Sequence, residues 1–232
     1  MRKLLQNLSA NFESLAEVEA ITSVDEQIIP FKGKLSLKKY NKNKPAKWGI
    51  KIYALAGKSG FIHRFFICGD TKTAVGNMED TDGIGVSGET VLALLLHPQP
   101  PPPGVQVFFD NYFSSPALLA KLKEADIPAT CTVRSNRVDR CPLKPERELK
   151  KEGRGAMDYR ISSDGILVAK WYDNKEVFIS SNHYSVQPAV KVRRWEKSKN
   201  KYIFILCPSL IAAYNIGMGG VDRCDQLLSF YR

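Results

Sequence analysis

The sequence lacks the patterns that mark membrane, secreted and zinc-binding proteins. Its longest wholly apolar run, Val91–Leu96, is far shorter than the roughly 20 residues that a helix needs to cross a bilayer. No signal-peptide pattern is present, because Asn7, Asn11 and Glu13 interrupt the first apolar residues. The five cysteines form no C-x-x-C pair, and the three histidines have no ligand spacing. We therefore expect reduced thiols, an intracellular protein, no membrane partner and no zinc knuckle.

Acidic residues are absent from one long stretch, since residues 32–51 contain eight lysines and no Asp or Glu. Residues 135–201 hold 16 Lys and Arg against nine acids, in a chain of net charge +10. A charge run is often only a solvated face, but aromatic residues such as Trp48 and Trp195 lie among these cations and favour nucleic acid as the partner. The candidate DNA-binding residues are Lys32, Lys34, Lys38, Lys39, Lys44, Lys47, Arg134, Asn136, Arg137, Lys150, Lys151, Arg193 and Arg194.

Hydrophobic periodicity predicts an α/β fold. Strands are expected over residues 21–30, 48–56, 61–68, 104–109, 129–134 and 202–206, and helices over 1–20, 87–96 (capped by Ser87), 116–125 and 218–232. Residues 135–201 form a basic, mostly β insertion that includes strands 166–171 and 177–180. The predicted domains are a preceding helix (1–20), the first part of a core (21–134), the insertion (135–201), and the last core strand and helix (202–232).

Four aspartates carry the candidate chemistry. Asp25 lies on the first predicted strand, Asp110 directly follows a later one, and Asp222 and Asp225 share one face of the last helix. Asp110 alone is explained as well by helix capping, and Asp222 and Asp225 by the helix macrodipole. Together they have the order of an RNase H-like site, in which the first and fourth strands are neighbours. Crowded carboxylates require a cation, and Mg²⁺ or Mn²⁺ prefers such hard oxygen ligands.

Several motifs resemble the piggyBac transposase family. They are VDEQ (24–27), PFKG (30–33), NKPAKWGIK (43–51), FDNYFSS (109–115), TVRSN (132–136), KWYDNK (170–175) and the segment 214–225, and they follow family order from about residue 20 onward. The resemblance implies an RNase H-like mixed sheet flanked by helices, with an insertion domain. It also implies catalytic Asp25, Asp110 and Asp222, with Asp225 as an additional metal ligand of a two-metal site that cleaves and joins double-stranded DNA at TTAA targets.

The resemblance also implies what lies beyond this stretch in larger family members. These have a dimerisation and DNA-binding domain, of which residues 1–20 would be a remnant, and a cysteine-rich zinc module that reads the transposon ends. The sequence is therefore expected to be a truncated or domesticated form, in the nucleus, with homodimerisation doubtful. Three hypotheses stay open: a metal-dependent transposase-type enzyme, a DNA-binding protein without catalysis, and a partner-binding or non-functional fragment.

Overall fold

The computed structural model of the chain describes residues 2–42, 47–68, 83–138 and 141–231. Contacts divide the chain into two compact units, Met1–Phe113 with Gly217–Arg232, and Ser114–Ile216. The predicted insertion, residues 135–201, lies within the second unit, and the predicted domain bounds stay a prediction. All five cysteines are free thiols, as expected. No helix in the described part of the chain is long and apolar enough to cross a membrane.

The first unit is built on a mixed sheet. Its strands are β1 (Ile21–Pro30), β2 (Lys38–Tyr40), β3 (Trp48–Gly57), β4 (Ile62–Ile67) and β5 (Gln106–Phe109). β3 pairs antiparallel with β1 along one edge and with both β2 and β4 along the other. β5 pairs parallel with β1 on its free edge. The predicted β3–β4 hairpin and the predicted adjacency of the first and fourth core strands are thus confirmed.

Helices cover this sheet. They are α1 (Arg2–Leu15), α2 (Gly85–Leu96) and, at the end of the chain, α6 (Gly220–Ser229). Phe12 of α1 makes edge contacts with Phe61 and Phe65, and Val221 of α6 joins the same apolar cluster over β3 and β4. The buried Arg64 side chain donates from one terminal nitrogen to the carbonyl oxygens of residues 94 and 95 at 3.1 and 2.8 Å, which ties β4 to α2.

Two helix starts differ from the sequence prediction. α2 begins at Gly85, so Ser87 lies inside the helix and is not its cap. Gly83 and Gly85 have positive φ angles of 66° and 75°, and these backbone conformations set the entry without a side-chain cap. α6 begins at Gly220 and not at residue 218, because Gly219 adopts a left-handed conformation with φ of 105°.

The second unit contains an antiparallel sheet and a separate hairpin. Its elements are α3 (Pro116–Glu124), β6 (Ala129–Thr132), α4 (Glu146–Glu152), β7 (Met157–Ile161), β8 (Leu167–Tyr172), β9 (Glu176–Ser181), β10 (Val190–Glu196), β11 (Lys201–Cys207) and α5 (Ser209–Gly217). The sheet order is β6-β9-β8-β7, and β10 pairs only with β11. Trp171 is buried at the centre of the unit's core, where its indole nitrogen donates to the Leu206 carbonyl oxygen at 2.8 Å.

Candidate functional site

Asp25 lies in the middle of β1, on the face of the sheet that α6 covers. Side chains alternate along a strand, so Ser23, Asp25 and Gln27 share this face. The Ser23 hydroxyl accepts a hydrogen bond from the Gly220 backbone N–H at 3.1 Å, and the Gln27 amide donates to Asp225 Oδ1 at 2.8 Å. The half-buried Asp25 therefore lies between two points at which β1 contacts α6.

Asp110 directly follows β5, at the level of Asp25. The last registered pair of the parallel strands β1 and β5 is Val24 with Phe109, so Asp25 and Asp110 are the next residues along both strands. Neighbouring strands lie about 4.8 Å apart, which brings these two backbone positions next to each other. Asp110 Oδ1 accepts a hydrogen bond from the Tyr112 N–H at 2.9 Å, which orients its carboxylate.

The start of α6 approaches the sheet so closely that only glycine fits there. A Cβ atom on Gly220 would lie 2.5 Å from the carbonyl oxygen of Gly57 and 2.8 Å from the Ser23 hydroxyl. Real Cβ contacts are longer than this, so a side chain here would push the helix away from β1 and β3. The position of Asp222, in the first turn of α6, therefore depends on a residue without a side chain.

The two aspartates of α6 have different surroundings. Asp222 is exposed, in the helix turn where a carboxylate is favoured by the macrodipole. Asp225 is half-buried and accepts the hydrogen bond from Gln27. Burial, together with the negative charge of Asp225, raises the pKa of the neighbouring Cys224 thiol, and a weak contact from Gln27 opposes this. Cys224 is therefore a neutral thiol at physiological pH.

The four predicted metal ligands lie on neighbouring elements, and their chemistry fits the ion predicted. Carboxylate oxygens are the donors that Mg²⁺ and Mn²⁺ prefer. Within residues 2–42, 47–68, 83–138 and 141–231, however, no three His, Cys, Asp or Glu side chains are grouped so that they could hold a metal. Three of the aspartates instead accept hydrogen bonds from protein donors, Asp25 doing so from the Glu26 N–H at 2.7 Å. The complete ligand set stays a prediction.

A cation–aromatic cluster beside Asp110 has no counterpart in the sequence interpretation. The Lys51 ammonium lies 5.0 Å from the ring centre of Tyr53 and 4.9 Å from that of Tyr112, and it pairs with the Glu26 carboxylate. The two tyrosine hydroxyls are 3.0 Å apart. Burial and this hydrogen bond raise the pKa of Tyr53 above its usual range. The cluster contacts the segment whose backbone N–H holds Asp110. The quoted motifs contain Glu26, Lys51 and Tyr112, but the motifs alone do not show that these residues meet.

The first basic segment carries most of its predicted DNA-binding lysines on the surface. Lys32, Lys34, Lys39 and Lys47 are exposed. Lys38 is half-buried, with its ammonium 5.4 Å from the ring centre of Trp48. The Trp48 ring in turn contacts Tyr40 at 5.0 Å between centres, and both rings are exposed. Lys44 lies outside the described residues.

The predicted DNA-binding residues of the second unit differ in exposure. Those that are exposed are Arg134, Asn136, Lys150, Lys151 and Arg193. Arg137 and Arg194 are half-buried. Arg137 donates to the Ser114 carbonyl oxygen, and Arg194 donates to Asp173 Oδ2 at 2.9 Å. Asp173 also accepts a hydrogen bond of 2.7 Å from Arg154. Burial lowers the pKa of Arg154, but its hydrogen bonds to Asp173 and Glu196 outweigh this effect and leave the pKa raised.

Comparisons with known proteins agree in pointing to one family. The family model described as Transposase IS4 matches residues 1–232. The human PiggyBac transposable element-derived protein 3 is 34% identical over 235 residues, which are 100% of this chain and 39% of that protein. The human PiggyBac transposable element-derived protein 2 is 30% identical over 237 residues, with the same two coverages. The chain thus spans about two fifths of the length of these curated relatives.

A solved structure supports the fold. The chain is similar to a cryo-EM structure described as a piggyBac transposase synaptic complex with hairpin DNA, with a TM-score of 0.70 and 23% sequence identity. The match covers 98% of this chain and 44% of the other. The predicted α/β class, with a mixed sheet flanked by helices, is confirmed by this likeness.

Proposed function

Since the chain belongs to the piggyBac transposase family, we propose that it is a transposase-type domain that cleaves and joins DNA through Asp25, Asp110 and Asp222. One observation carries the proposal: Asp25 on β1 and Asp110, directly after the parallel neighbour β5, lie at the same level, and the helix that bears Asp222 packs on β1. A helix cap would explain Asp110 alone, and a macrodipole contact would explain Asp222 and Asp225. Neither explains Asp25 in the middle of β1, or why the four aspartates lie on adjacent elements of one unit.

In this proposal Asp25, Asp110 and Asp222 would hold Mg²⁺ or Mn²⁺, with Asp225 as an additional ligand. When bound, a pair of such ions activates the attacking oxygen and stabilises the leaving oxygen of a phosphodiester. The chain's own residues position the carboxylates. The Tyr112 N–H holds Asp110, and the Gln27 amide holds Asp225 against β1.

Double-stranded DNA in the nucleus is the proposed partner. The net charge of +10 and the exposed lysines of residues 32–47 favour a polyanion, since each phosphate contact releases bound counterions. The similar solved structure is described as a complex with hairpin DNA, which makes DNA the natural probe for this chain.

The first test is thermal unfolding of the purified chain with increasing Mn²⁺ or Mg²⁺. If the four carboxylates bind the ions, the wild type should be stabilised by about 2–3 kcal/mol when the metal is at about 100 times its dissociation constant. Asp110→Asn should abolish this gain because it removes one charged ligand. Asp164→Asn, which neutralises an exposed acid of the second unit, is the matched control and should keep the full gain.

Nicking of a supercoiled DNA substrate completes the test. Metal-dependent nicking by the wild type and the Asp164→Asn control, with none by Asp110→Asn, is the expected result. Nicking that persists in Asp110→Asn would overturn the assignment of this residue.

A second candidate function is DNA binding without cleavage. Two observations favour it. Among the described residues, no three His, Cys, Asp or Glu side chains are close enough together to hold a metal ion. Asp25, Asp110 and Asp225 also already accept hydrogen bonds from protein donors. The two human relatives are, by name, proteins derived from a transposable element. Duplex binding by the wild type without stabilisation by metal and without nicking would favour this second function.

A further inference from the structure

The β10–β11 hairpin has two faces of opposite character. Facing residues of an antiparallel pair share a face, and the register pairs Lys191 with Leu206, Arg193 with Phe204 and Trp195 with Tyr202. We call the face formed by these six residues the hairpin face. All six are exposed, with 46% of Trp195, 56% of Tyr202, 69% of Phe204 and 50% of Leu206 accessible. The opposite face is the buried one.

The buried face packs the hairpin against the core of the second unit. Ile205 and Cys207 are buried in the core of the second unit, with Val192 and Ile203 packed against them. Arg194, which also points to this side, pairs with Asp173 and lies 5.9 Å from the ring centre of Trp171. The hairpin is thus anchored through one face, and its other face is presented to solvent in a fixed arrangement.

The hairpin face combines cations with ring surfaces. The Arg193 guanidinium lies 4.3 Å above the ring centre of Tyr202, and the Trp195 and Tyr202 rings meet edge to face at 5.0 Å. The turn between the strands adds Lys197 and Lys199. Residues 190–201 contain six Lys and Arg against one acid, and that acid, Glu196, pairs with Arg154.

From this arrangement we propose that the hairpin face binds single-stranded DNA, with bases stacked on Phe204, Tyr202 and Trp195 and phosphates held by Lys191 and Arg193. A purely apolar surface would fit a protein partner, and a purely basic one would fit any polyanion. Rings interleaved with cations are complementary to an unpaired strand, which offers base faces and phosphates together. In a duplex the base faces are already stacked on one another and cannot reach these rings. The proposal refines the DNA-binding part of the proposed function and rests on it.

The test measures binding of two fluorescent probes to the full chain by anisotropy. One probe is a single strand of about 16 nucleotides, and the other is the blunt duplex of the same sequence. Phe204→Ala should weaken single-strand binding by about 5- to 150-fold because a base loses its stacking partner. Duplex affinity should stay within about twofold of the wild type. Arg193→Ala should reduce the dependence of log affinity on log salt by about 0.7, the value for one phosphate contact on a single strand.

Matched variants separate stacking from other effects. Phe204→Tyr keeps the ring and should bind as the wild type does, whereas Phe204→Leu keeps the apolar character without the ring and should bind as weakly as Phe204→Ala. Lys58→Ala removes one exposed cation from the first unit and should leave single-strand affinity unchanged. Because these side chains are exposed, thermal unfolding of all the variants should match the wild type.

Four results would overturn the proposal. If Phe204→Leu binds the single strand as tightly as the wild type, stacking does not occur at this position. If the wild type binds the duplex but not the single strand, the hairpin face is not a single-strand site while the proposed function survives. If sedimentation shows a dimer that Phe204→Ala dissociates, with single-strand affinity unchanged, the occupant of the face is a second copy of the chain. Absence of binding to either probe would refute DNA binding altogether.

Discussion

Replacing Gly220 by alanine tests how α6 is held over the predicted catalytic aspartates. The added Cβ would lie 2.5 Å from the Gly57 carbonyl oxygen, 2.8 Å from the Ser23 hydroxyl and 3.1 Å from Ala56 Cβ. All three neighbours are strand residues of β1 or β3, where the backbone cannot move freely. The helix must therefore shift outward, and the hydrogen bond of 3.1 Å from the Gly220 N–H to Ser23 lengthens or breaks.

The expected cost follows from three contributions. Overpacking of a fixed contact costs about 1–3 kcal/mol, and loss of the hydrogen bond adds about 1 kcal/mol. Alanine has a higher helix propensity than glycine, which offsets at most about 1 kcal/mol of this destabilisation. Gly220→Ala should thus lower the free energy of unfolding by about 1–3 kcal/mol, or the melting temperature by roughly 2–12 °C for a chain of this size.

Urea unfolding of the variant beside Gln226→Ala checks this magnitude. Gln226 is an exposed residue of the same helix, so its replacement should change the free energy of unfolding by less than about 0.5 kcal/mol. The outward shift should also reduce any stabilisation by Mn²⁺, because it moves Asp222 and Asp225 away from Asp25. A Gly220→Ala variant as stable as the wild type would show that α6 does not pack on β1 and β3 at the distances seen here.

Two more predictions concern buried ionisable groups. Burial lowers the pKa of His63 below the unfolded value of about 6.5, against the opposing effect of Glu19. At low pH the unfolded chain then binds more protons than the folded chain. The folded state therefore has its full stability above about pH 6.5 and loses stability as the pH falls. Between about pH 7 and pH 5, urea unfolding should show a smaller loss of unfolding free energy in His63→Gln than in the wild type. Asp173→Asn should destabilise the chain by about 2–4 kcal/mol, because two largely buried arginines lose their shared carboxylate, whereas the exposed Arg193→Ala should be nearly neutral. Equal urea midpoints for Asp173→Asn and Arg193→Ala would refute this difference.

The elements with a clear hydrophobic period were predictable from the sequence. β1, β3 and β5 contain many β-branched and aromatic residues between turn signals, and their positions agree with the prediction within two residues. α3 has a serine cap, in which Ser115 Oγ accepts from the Leu118 N–H at 3.0 Å, followed by proline at its first turn. These signals are local, so a single sequence contains them.

The elements that the sequence did not reveal lack such local signals. β10 alternates lysine and arginine with valine and tryptophan, so charge obscures its period of two, and only the pairing with β11 makes it a strand. Within the site, the tie between Gln27 and Asp225 joins residues 198 positions apart. The Gly219–Gly220 pair was visible as a motif, but its reason, the close approach to Gly57, arises only from packing.

The placement of the aspartates is determined by backbone features and not by the aspartates themselves. Asp25 and Asp110 are aligned by the β1–β5 register, which depends on the apolar residues around them, and Asp222 is placed by the fit of Gly220 against the sheet. A carboxylate can therefore be lost without loss of the fold. The exposed basic residues of both units are equally independent of the aspartates. The proposed catalysis and the proposed DNA binding are thus predicted to be separable, so a chain of this family with all four aspartates should be tested for both.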